Sequence, residues 1–349
     1  MQYRKLGRTG IDISLIGLGT MTYGQQNSEA EGFEQMDYAL ERGINVFDTS
    51  ELYSIPPLPE TQGSTERIIG AWFKERGNRD KVILATKAVG RSVMTWFRAD
   101  GSPARITRAQ LTEAIDGSLQ RLQTDYIDLY QLHWPDRAAP FGANPTRYIP
   151  AEFDGDGAPM HETLAILQDF VTAGKIRHIG VSNESAWGVM RFIGESNTRK
   201  LPRIASIQNA YNLLNRTFDT ALAEVCQRER VSLIAYSPLA QGFLTGKYLD
   251  GARPPGARST LFDRGQRYER PGANDAVRDY LAIAAQFGLD PSQMAIAFVN
   301  AQPFVATNLI GATTMAQLKT NIAAIDLTLP PEVLTALDAV HQLRGNPAP

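Results

Sequence analysis

The chain contains 349 residues, of which 43% are hydrophobic and 21% charged, a composition typical of an ordinary globular protein. Its formal net charge of −2 gives no electrostatic reason to expect a nucleic acid or an anionic membrane as partner. The single cysteine, Cys226, excludes an intrachain disulfide and a zinc site built from cysteines, and no apolar stretch of about 18 residues predicts a membrane span.

The N-terminal segment predicts a β-hairpin. Residues 3–14, YRKLGRTGIDIS, contain two strand-like runs around a glycine turn, and such a hairpin could close the bottom of a barrel. The segment has no apolar region of the kind that secretory signals carry. We therefore expect a cytoplasmic location.

Eight apolar runs of strand length follow one another along the chain. They are continuous rather than alternating, as expected of parallel strands that are covered on both faces. They span residues 15–19, 44–48, 82–87, 126–133, 176–183, 204–209, 231–236 and 305–311.

Helical patterns lie between these runs. Ser28 and Glu31 have the spacing of a capping box, and Thr107 and Gln110 repeat it. Asp290, followed by a proline, starts another helix, and residues 331–341 form a last amphipathic segment. Repeated alternation of strand and helix favours an α/β fold, a (β/α)₈ barrel of the TIM type, with a doubly wound sheet as the alternative. No composition shift divides the chain, so residues 1–349 are expected to form one domain.

Three connections are long for such units, and each follows the carboxyl end of a strand. They span residues 88–106, 134–159 and 241–271. In a barrel that face carries the active site, so these loops would wall a pocket. The glycines of GLGTMTYG do not predict a dinucleotide-binding turn, because Thr22 stands where a third glycine belongs and no helix follows at once.

Ionisable side chains stand at or just beyond the ends of three strands. Asp48, Lys87 and His133 each close a strand, and Tyr53 follows Asp48 closely. A phenol has a pKa of about 10, and a nearby ammonium group lowers it. Tyr53 could then give a proton to a carbonyl oxygen, with His133 hydrogen-bonding that oxygen. Each residue taken alone also has a structural interpretation, as a cap, a loop tyrosine, a solvated lysine or a core histidine. The four histidines of the chain include no close His-x-His pair, which argues against a metal-dependent hydrolase barrel.

Several longer stretches carry a resemblance to a known family. They include YRKLGRTGIDISLIGLGTMTYG, GINVFDTSELY, ATK, DYIDLYQLHWPD, GKIRHIGVSN, YSPLAQGFLTGKY and GATTMAQLKTN. With them the chain resembles the aldo-keto reductases, and in particular their Tas-like, NADP(H)-dependent branch. The resemblance implies a (β/α)₈ barrel, reduction of aldehydes or ketones by hydride transfer, and a catalytic tetrad of Asp48, Tyr53, Lys87 and His133 with Tyr53 as the general acid.

The resemblance also implies the cofactor contacts. They are Gly19, Thr20, Met21, Asp48, Ser182, Asn183, Gln208, Tyr236, Ser237, Leu239, Gly242, Lys247, Arg258, Gly311, Thr313, Gln317 and Asn321. Many family members hold the 2′-phosphate of NADP with a lysine and an arginine, where this chain has Gly311 and Gln317. NADP(H) is the expected cofactor, and NAD(H) is the alternative.

The expected substrate contacts combine two of the tetrad residues, Tyr53 and His133, with three aromatic residues near the mouth, Tyr23, Trp96 and Trp134. Aromatic walls indicate an apolar aldehyde or ketone but do not choose one. A regulatory, cofactor-binding role like that of potassium-channel β subunits is the competing hypothesis. The sequence leaves the oligomeric state undetermined.

Overall fold

A computed structural model of the chain describes residues 1–137, 139, 157–263 and 267–349. Most of the predicted loop over residues 134–159 therefore lies outside the described residues, as do residues 264–266 of the loop over 241–271. The helices of the described ranges include none that is long and apolar enough to cross a membrane.

Eight parallel strands close into a barrel, which confirms the (β/α)₈ prediction and excludes the open sheet. Each strand pairs with the next along the chain, and the last pairs with the first. The barrel strands are β3 (Ile16–Gly19), β4 (Val46–Asp48), β5 (Ile83–Ala88), β6 (Ile127–Leu132), β7 (Ile176–Ser182), β8 (Ile204–Ala210), β9 (Ser232–Tyr236) and β10 (Val305–Ile310).

The predicted hairpin precedes the barrel. Its strands, β1 (Tyr3–Lys5) and β2 (Asp12–Ser14), pair antiparallel. Leu6 and Ile13 are buried in one apolar cluster with barrel residues such as Leu129, so the hairpin seals the bottom of the barrel. A side chain at Gly7 would place its Cβ 2.5 Å from the Ala205 carbonyl oxygen, so only glycine allows the turn to pack this closely.

Helices alternate with the barrel strands, and further helices lie in the longer connections and near the C-terminus. They are α1 (Glu29–Glu41), α2 (Ser64–Arg76), α3 (Arg108–Leu122), α4 (Met160–Thr172), α5 (Ala186–Arg199), α6 (Leu222–Glu229), α7 (Arg258–Phe262), α8 (Ala273–Gln286), α9 (Pro291–Asn300), α10 (Met315–Ala323) and α11 (Pro331–Arg344). Cys226 lies buried in α6, where burial raises the pKa of its thiol to about 12, as expected of a core residue.

The predicted helix starts are observed. Ser28 and Glu31 form the full capping box of α1, and Asp290 caps α9. At α3 only half of the predicted box forms, because the Gln110 side chain accepts the Arg105 backbone N–H instead of reaching back to the cap.

Candidate active site

The barrel brings the four predicted side chains together at the carboxyl ends of its strands. Asp48 ends β4, Lys87 lies near the end of β5, and His133 directly follows β6. The parallel registers align these strand ends, since Asp48 pairs with Ala85 and Lys87 with Gln131.

Lys87 is the centre of this group. Its Nζ donates to Asp48 Oδ2 at 2.6 Å and to the Thr49 carbonyl at 2.8 Å, and it lies 3.5 Å from the Tyr53 hydroxyl. The side chain is fully buried. Burial alone would lower the pKa of Lys87, but attraction to Asp48 and to the Tyr53 oxygen outweighs burial and raises it. Lys87 is therefore an ammonium ion at neutral pH.

Asp48 is held on both carboxylate oxygens. Oδ2 accepts from Lys87, and Oδ1 accepts from Gln208 Nε2 at 2.7 Å and from Gln131 Nε2 at 3.3 Å. These contacts fix the Asp48 carboxylate, which in turn holds the Lys87 ammonium group beside Tyr53.

The Tyr53 phenol is buried at the edge of the cavity, and burial raises its pKa above 10.0. The Lys87 charge opposes this rise, as the sequence predicted, while the charge of Asp48 adds to it. The expected net lowering of the phenol pKa is therefore wrong for the protein alone, because desolvation exceeds the attraction to Lys87. Tyr53 is therefore protonated at neutral pH.

His133 is a neutral imidazole. Its burial and the positive charge of Lys87 lower its pKa well below 6.5. Nδ1 lies 3.0 Å from the Ser50 hydroxyl oxygen, and the ring meets the Tyr53 ring edge to face with 5.7 Å between centroids. A neutral histidine at this position can give or accept a hydrogen bond without adding charge.

A cavity of about 880 Å³ opens at this end of the barrel. Asp48, Tyr53 and His133 line it, while Lys87 lies behind them. Every residue predicted to contact a cofactor also lines it, namely Gly19, Thr20, Met21, Asp48, Ser182, Asn183, Gln208, Tyr236, Ser237, Leu239, Gly242, Lys247, Arg258, Gly311, Thr313, Gln317 and Asn321. The space runs from the strand ends to the N-terminus of α10.

The family model described as the Aldo/keto reductase family matches residues 15–342. The chain belongs to the aldo-keto reductase family. Protein tas of Escherichia coli is 50% identical over the full length of both chains. The uncharacterized oxidoreductase YrpG of Bacillus subtilis is 31% identical over 100% of this chain and 98% of its own. A putative voltage-gated potassium channel subunit beta of Schizosaccharomyces pombe is 30% identical over 97% and 92%.

As a member of this family, the protein is an oxidoreductase. The family uses NADP(H) or NAD(H) and acts on small-molecule carbonyl compounds.

The predicted aromatic walls of this aldo-keto reductase need correction. Tyr23 is fully buried, and its hydroxyl donates to Gln35 Oε1 at 3.1 Å, so it belongs to the core rather than to the mouth. The Trp96 ring lies tilted against Phe97, with 5.5 Å between centroids, and the Trp134 indole donates to the Arg91 carbonyl. Neither tryptophan lines the cavity as the described residues form it, although Trp134 packs against His133.

Apolar side chains that the sequence did not single out stand beside Tyr53 instead. Leu52 and Ile55 line the cavity together with Met21, and they pack with Tyr53 in one cluster. Their position close to Tyr53 in the chain is the only signal that could have identified them.

A buried ion pair holds the loop that carries Tyr53. Both terminal nitrogens of Arg98 donate to the Glu51 carboxylate, at 2.8 and 3.0 Å, and the Val89 backbone N–H donates to it at 2.7 Å. Glu51 thus ties the Tyr53 loop to the loop after β5. The two partners are 47 residues apart in the chain, and no sequence pattern links them.

Tyr236 is fixed from two sides. Its hydroxyl donates to Asn183 Oδ1 at 2.7 Å and accepts from Arg267 Nη1 at 3.1 Å. The Arg267 guanidinium also lies over the Tyr236 ring, 5.6 Å from its centroid. Arg267 was not predicted, because its loop has no pattern that points it toward β9.

The far end of the cavity is formed by polar groups. Gln317 Oε1 accepts from both the backbone N–H and the hydroxyl of Thr313, at 3.0 and 3.1 Å, which leaves its amide NH₂ as a donor. Thr314 caps α10, and the Lys319 ammonium lies over the Tyr38 ring rather than along the cavity. Lys247 and Arg258 supply positive charge along the loop after β9.

Proposed function

We propose that this aldo-keto reductase reduces aldehydes or ketones to alcohols with NADPH, and that Tyr53 is the general acid. The observation that carries the proposal is the buried chain from Asp48 through Lys87 to the Tyr53 hydroxyl, beside a neutral His133 at the edge of a cavity of about 880 Å³. A protonated phenol next to a permanent ammonium group is suited to giving a proton to an oxygen that gains negative charge.

The lining of the cavity fits a nicotinamide dinucleotide in size and in chemistry. Ser182, Asn183 and Gln208 would hold the carboxamide, which needs both donors and acceptors. Tyr236 would lie against the nicotinamide ring, and Lys247 would meet the pyrophosphate. The backbone of Ser237, Ala240 and Gln241 has positive φ and curves the chain around that part of the cavity. When bound, the dinucleotide supplies the hydride that reaches the carbonyl carbon.

The residues of the protein supply the proton and stabilise the charge that its transfer leaves behind. Tyr53 gives its proton to the carbonyl oxygen, and the phenolate that remains is stabilised by Lys87, whose Nζ lies 3.5 Å away. Lys87 keeps its charge because attraction to Asp48 and to the Tyr53 oxygen raises its pKa. Hydrogen bonds to Asp48 and to the Thr49 carbonyl hold the ammonium group in place. His133, being neutral, can donate a hydrogen bond to the same substrate oxygen without competing as an acid.

We propose an apolar carbonyl compound as the substrate. Met21, Leu52 and Ile55 line the cavity near Tyr53 and would contact the substrate's side chain. Burying apolar surface there contributes roughly 25 cal/mol per Å².

In this proposal, uncharged hydrogen-bond donors bind the 2′-phosphate and so give the preference for NADP(H) over NAD(H). The Gln317 amide and the α10 N-terminus offer N–H groups to a 2′-phosphate. Since Gly311 and Gln317 carry no charge, the preference is expected to be modest, and use of both cofactors is the alternative.

Three relatives named as putative or probable voltage-gated potassium channel β subunits favour a second candidate, a cofactor-binding regulatory protein. Rapid mixing of the NADPH-loaded protein with a panel of aldehydes and ketones separates the two, with NADH loading as the parallel series. A reductase oxidises its cofactor within seconds with at least one carbonyl compound and continues over many turnovers. Oxidation over many minutes with every compound would contradict the enzyme proposal and favour the regulatory protein.

A further inference from the structure

A buried hydroxyl group lies beside His133. Ser50 follows Asp48 by two residues, is fully buried, and places its Oγ 3.0 Å from His133 Nδ1. A neutral imidazole carries one proton, on Nδ1 or on Nε2. Because Nδ1 faces Ser50, Nε2 is the nitrogen left for a molecule in the cavity. The position of the proton decides whether that nitrogen is a donor or an acceptor.

The surroundings of Ser50 indicate where its own hydroxyl proton goes. Its oxygen already accepts the Leu52 backbone N–H at 3.2 Å. Among the described residues its proton has two acceptors within reach, His133 Nδ1 at 3.0 Å and the Lys87 carbonyl at 3.4 Å. Hydroxyl donors prefer distances of about 2.7–2.8 Å, and the Lys87 carbonyl also accepts the Glu51 backbone N–H. His133 Nδ1 is therefore the better acceptor.

We propose that Ser50 is a positioning residue that donates a hydrogen bond to Nδ1 of His133 and thereby holds the imidazole in the Nε2–H tautomer. The ring then presents a donor to the cavity that it lines. A carbonyl oxygen can only accept, so this tautomer is the one that can bind it, whereas the Nδ1–H form would turn a lone pair toward it. The benefit of this tautomer for catalysis rests on the proposed carbonyl reduction. The tautomer itself does not depend on a substrate and can be measured in the protein alone.

Solid-state ¹⁵N NMR of histidine-labelled protein tests the tautomer without any substrate. The chain has four histidines, so loss of signals in His133→Gln assigns the residue. We expect a protonated Nε2 and an unprotonated Nδ1 in the wild-type protein at neutral pH. A protonated Nδ1 would overturn the proposal whatever the activity of the protein.

Ser50→Ala tests the cause. We expect a mixed or reversed tautomer at His133, a turnover about threefold to tenfold lower, as for loss of one hydrogen bond, and an unchanged Kd for NADPH. Ser54→Ala is the matched control, since it also removes a buried hydroxyl from this loop. The Ser54 hydroxyl contacts Ser64 and not His133. The control variant should keep the Nε2–H tautomer.

A Ser50→Ala protein that keeps the wild-type tautomer would overturn the role of Ser50. If the variant does not fold, the wild-type spectrum alone decides which nitrogen carries the proton. Failure of the proposed function shows itself differently, as absence of turnover with every carbonyl compound while the tautomer remains as expected.

Discussion

The two ends of the barrel are built from opposite kinds of side chain. At the bottom, the hairpin inserts Leu6 and Ile13 into a cluster of aliphatic residues from the strands. At the top, the strands end in buried ionic and polar groups, with Lys87 fully enclosed and paired with Asp48. Removing apolar surface from water stabilises the bottom of the barrel. Removing charged groups from water at the top is unfavourable and offsets part of their attraction.

The bottom of the barrel therefore supplies stability, and the top carries the groups of the proposed chemistry. A buried ion pair is weak evidence for stability, because desolvation offsets much of the attraction between the charges. The top is therefore explained by what its charges can do to Tyr53, and the bottom by what its packing does for the fold. Substitutions at the two ends should separate activity from stability.

The largest effect is expected at the top. Tyr53→Phe removes the proposed acid and should lower steady-state carbonyl reduction by about 10²–10⁴-fold, because a positioned general acid contributes that much. The Kd for NADPH and the unfolding temperature should stay near their wild-type values, which fluorescence titration and calorimetry measure. A variant that turns over at nearly the wild-type rate would show that Tyr53 is not the acid.

The matching change at the bottom should act on stability alone. Ile13→Ala leaves a cavity under the barrel and should lower the free energy of unfolding by about 2–5 kcal/mol. The kcat of the folded fraction should not change. Denaturant unfolding gives the first quantity, and kinetics at low temperature give the second. Ile11→Ala, in the same hairpin but only partly buried, is the control and should cost less. An equal cost at both positions would contradict the sealing role of Ile13.

A negative charge added at either end of the barrel should affect cofactor binding only at the top. Gln317→Glu keeps the oxygen that accepts from Thr313 but adds a negative charge near the proposed 2′-phosphate position. We expect NADPH to bind about tenfold more weakly, which corresponds to about 1.4 kcal/mol, with a smaller change for NADH. Gln302→Glu adds the same charge just before β10, at the bottom, and should change neither affinity. Equal weakening of both cofactors by Gln317→Glu would remove this residue from 2′-phosphate recognition.

The sequence predicted the top of the barrel well because of how parallel strands end. Asp48, Lys87 and His133 are each assigned to the carboxyl end of a strand. In a closed parallel barrel these ends lie on the same side, so the three side chains come close together. Their hydrogen bonds could not be predicted in the same way. The contact between Ser50 and His133 depends on side-chain rotamers across 83 residues of separation.

The misplacement of Tyr23 has a related physical reason. A tyrosine after a strand end is compatible with the mouth or with the core, and the decision depends on whether its hydroxyl finds a buried partner. Gln35 provides that partner from α1. Since Gln35 looks like a surface position within a helical pattern, the sequence alone did not reveal the pair.

Mild acid should change the stability of the protein slightly through His133. Burial and the charge of Lys87 lower the pKa of His133 well below 6.5 in the folded protein. In the unfolded chain the same imidazole takes up a proton as the pH falls below about 6.5. The unfolded state then binds more protons than the folded state, so stability is lost as the pH falls through this range. The contribution of one such group is at most about 1.4 kcal/mol per pH unit.

His133→Gln should therefore flatten the fall in unfolding free energy between about pH 6.5 and pH 5, measured by denaturant titration at each pH. Loss of the contact with Ser50 shifts the whole curve but does not change its slope, so slope is the decisive quantity. His178, in β7, also has a pKa lowered by burial, but it is less enclosed, and His178→Gln should flatten the curve less. If His133→Gln keeps the wild-type slope, His133 takes up its proton in the folded protein, and the neutral donor assigned to it at the top of the barrel is lost under mildly acidic conditions.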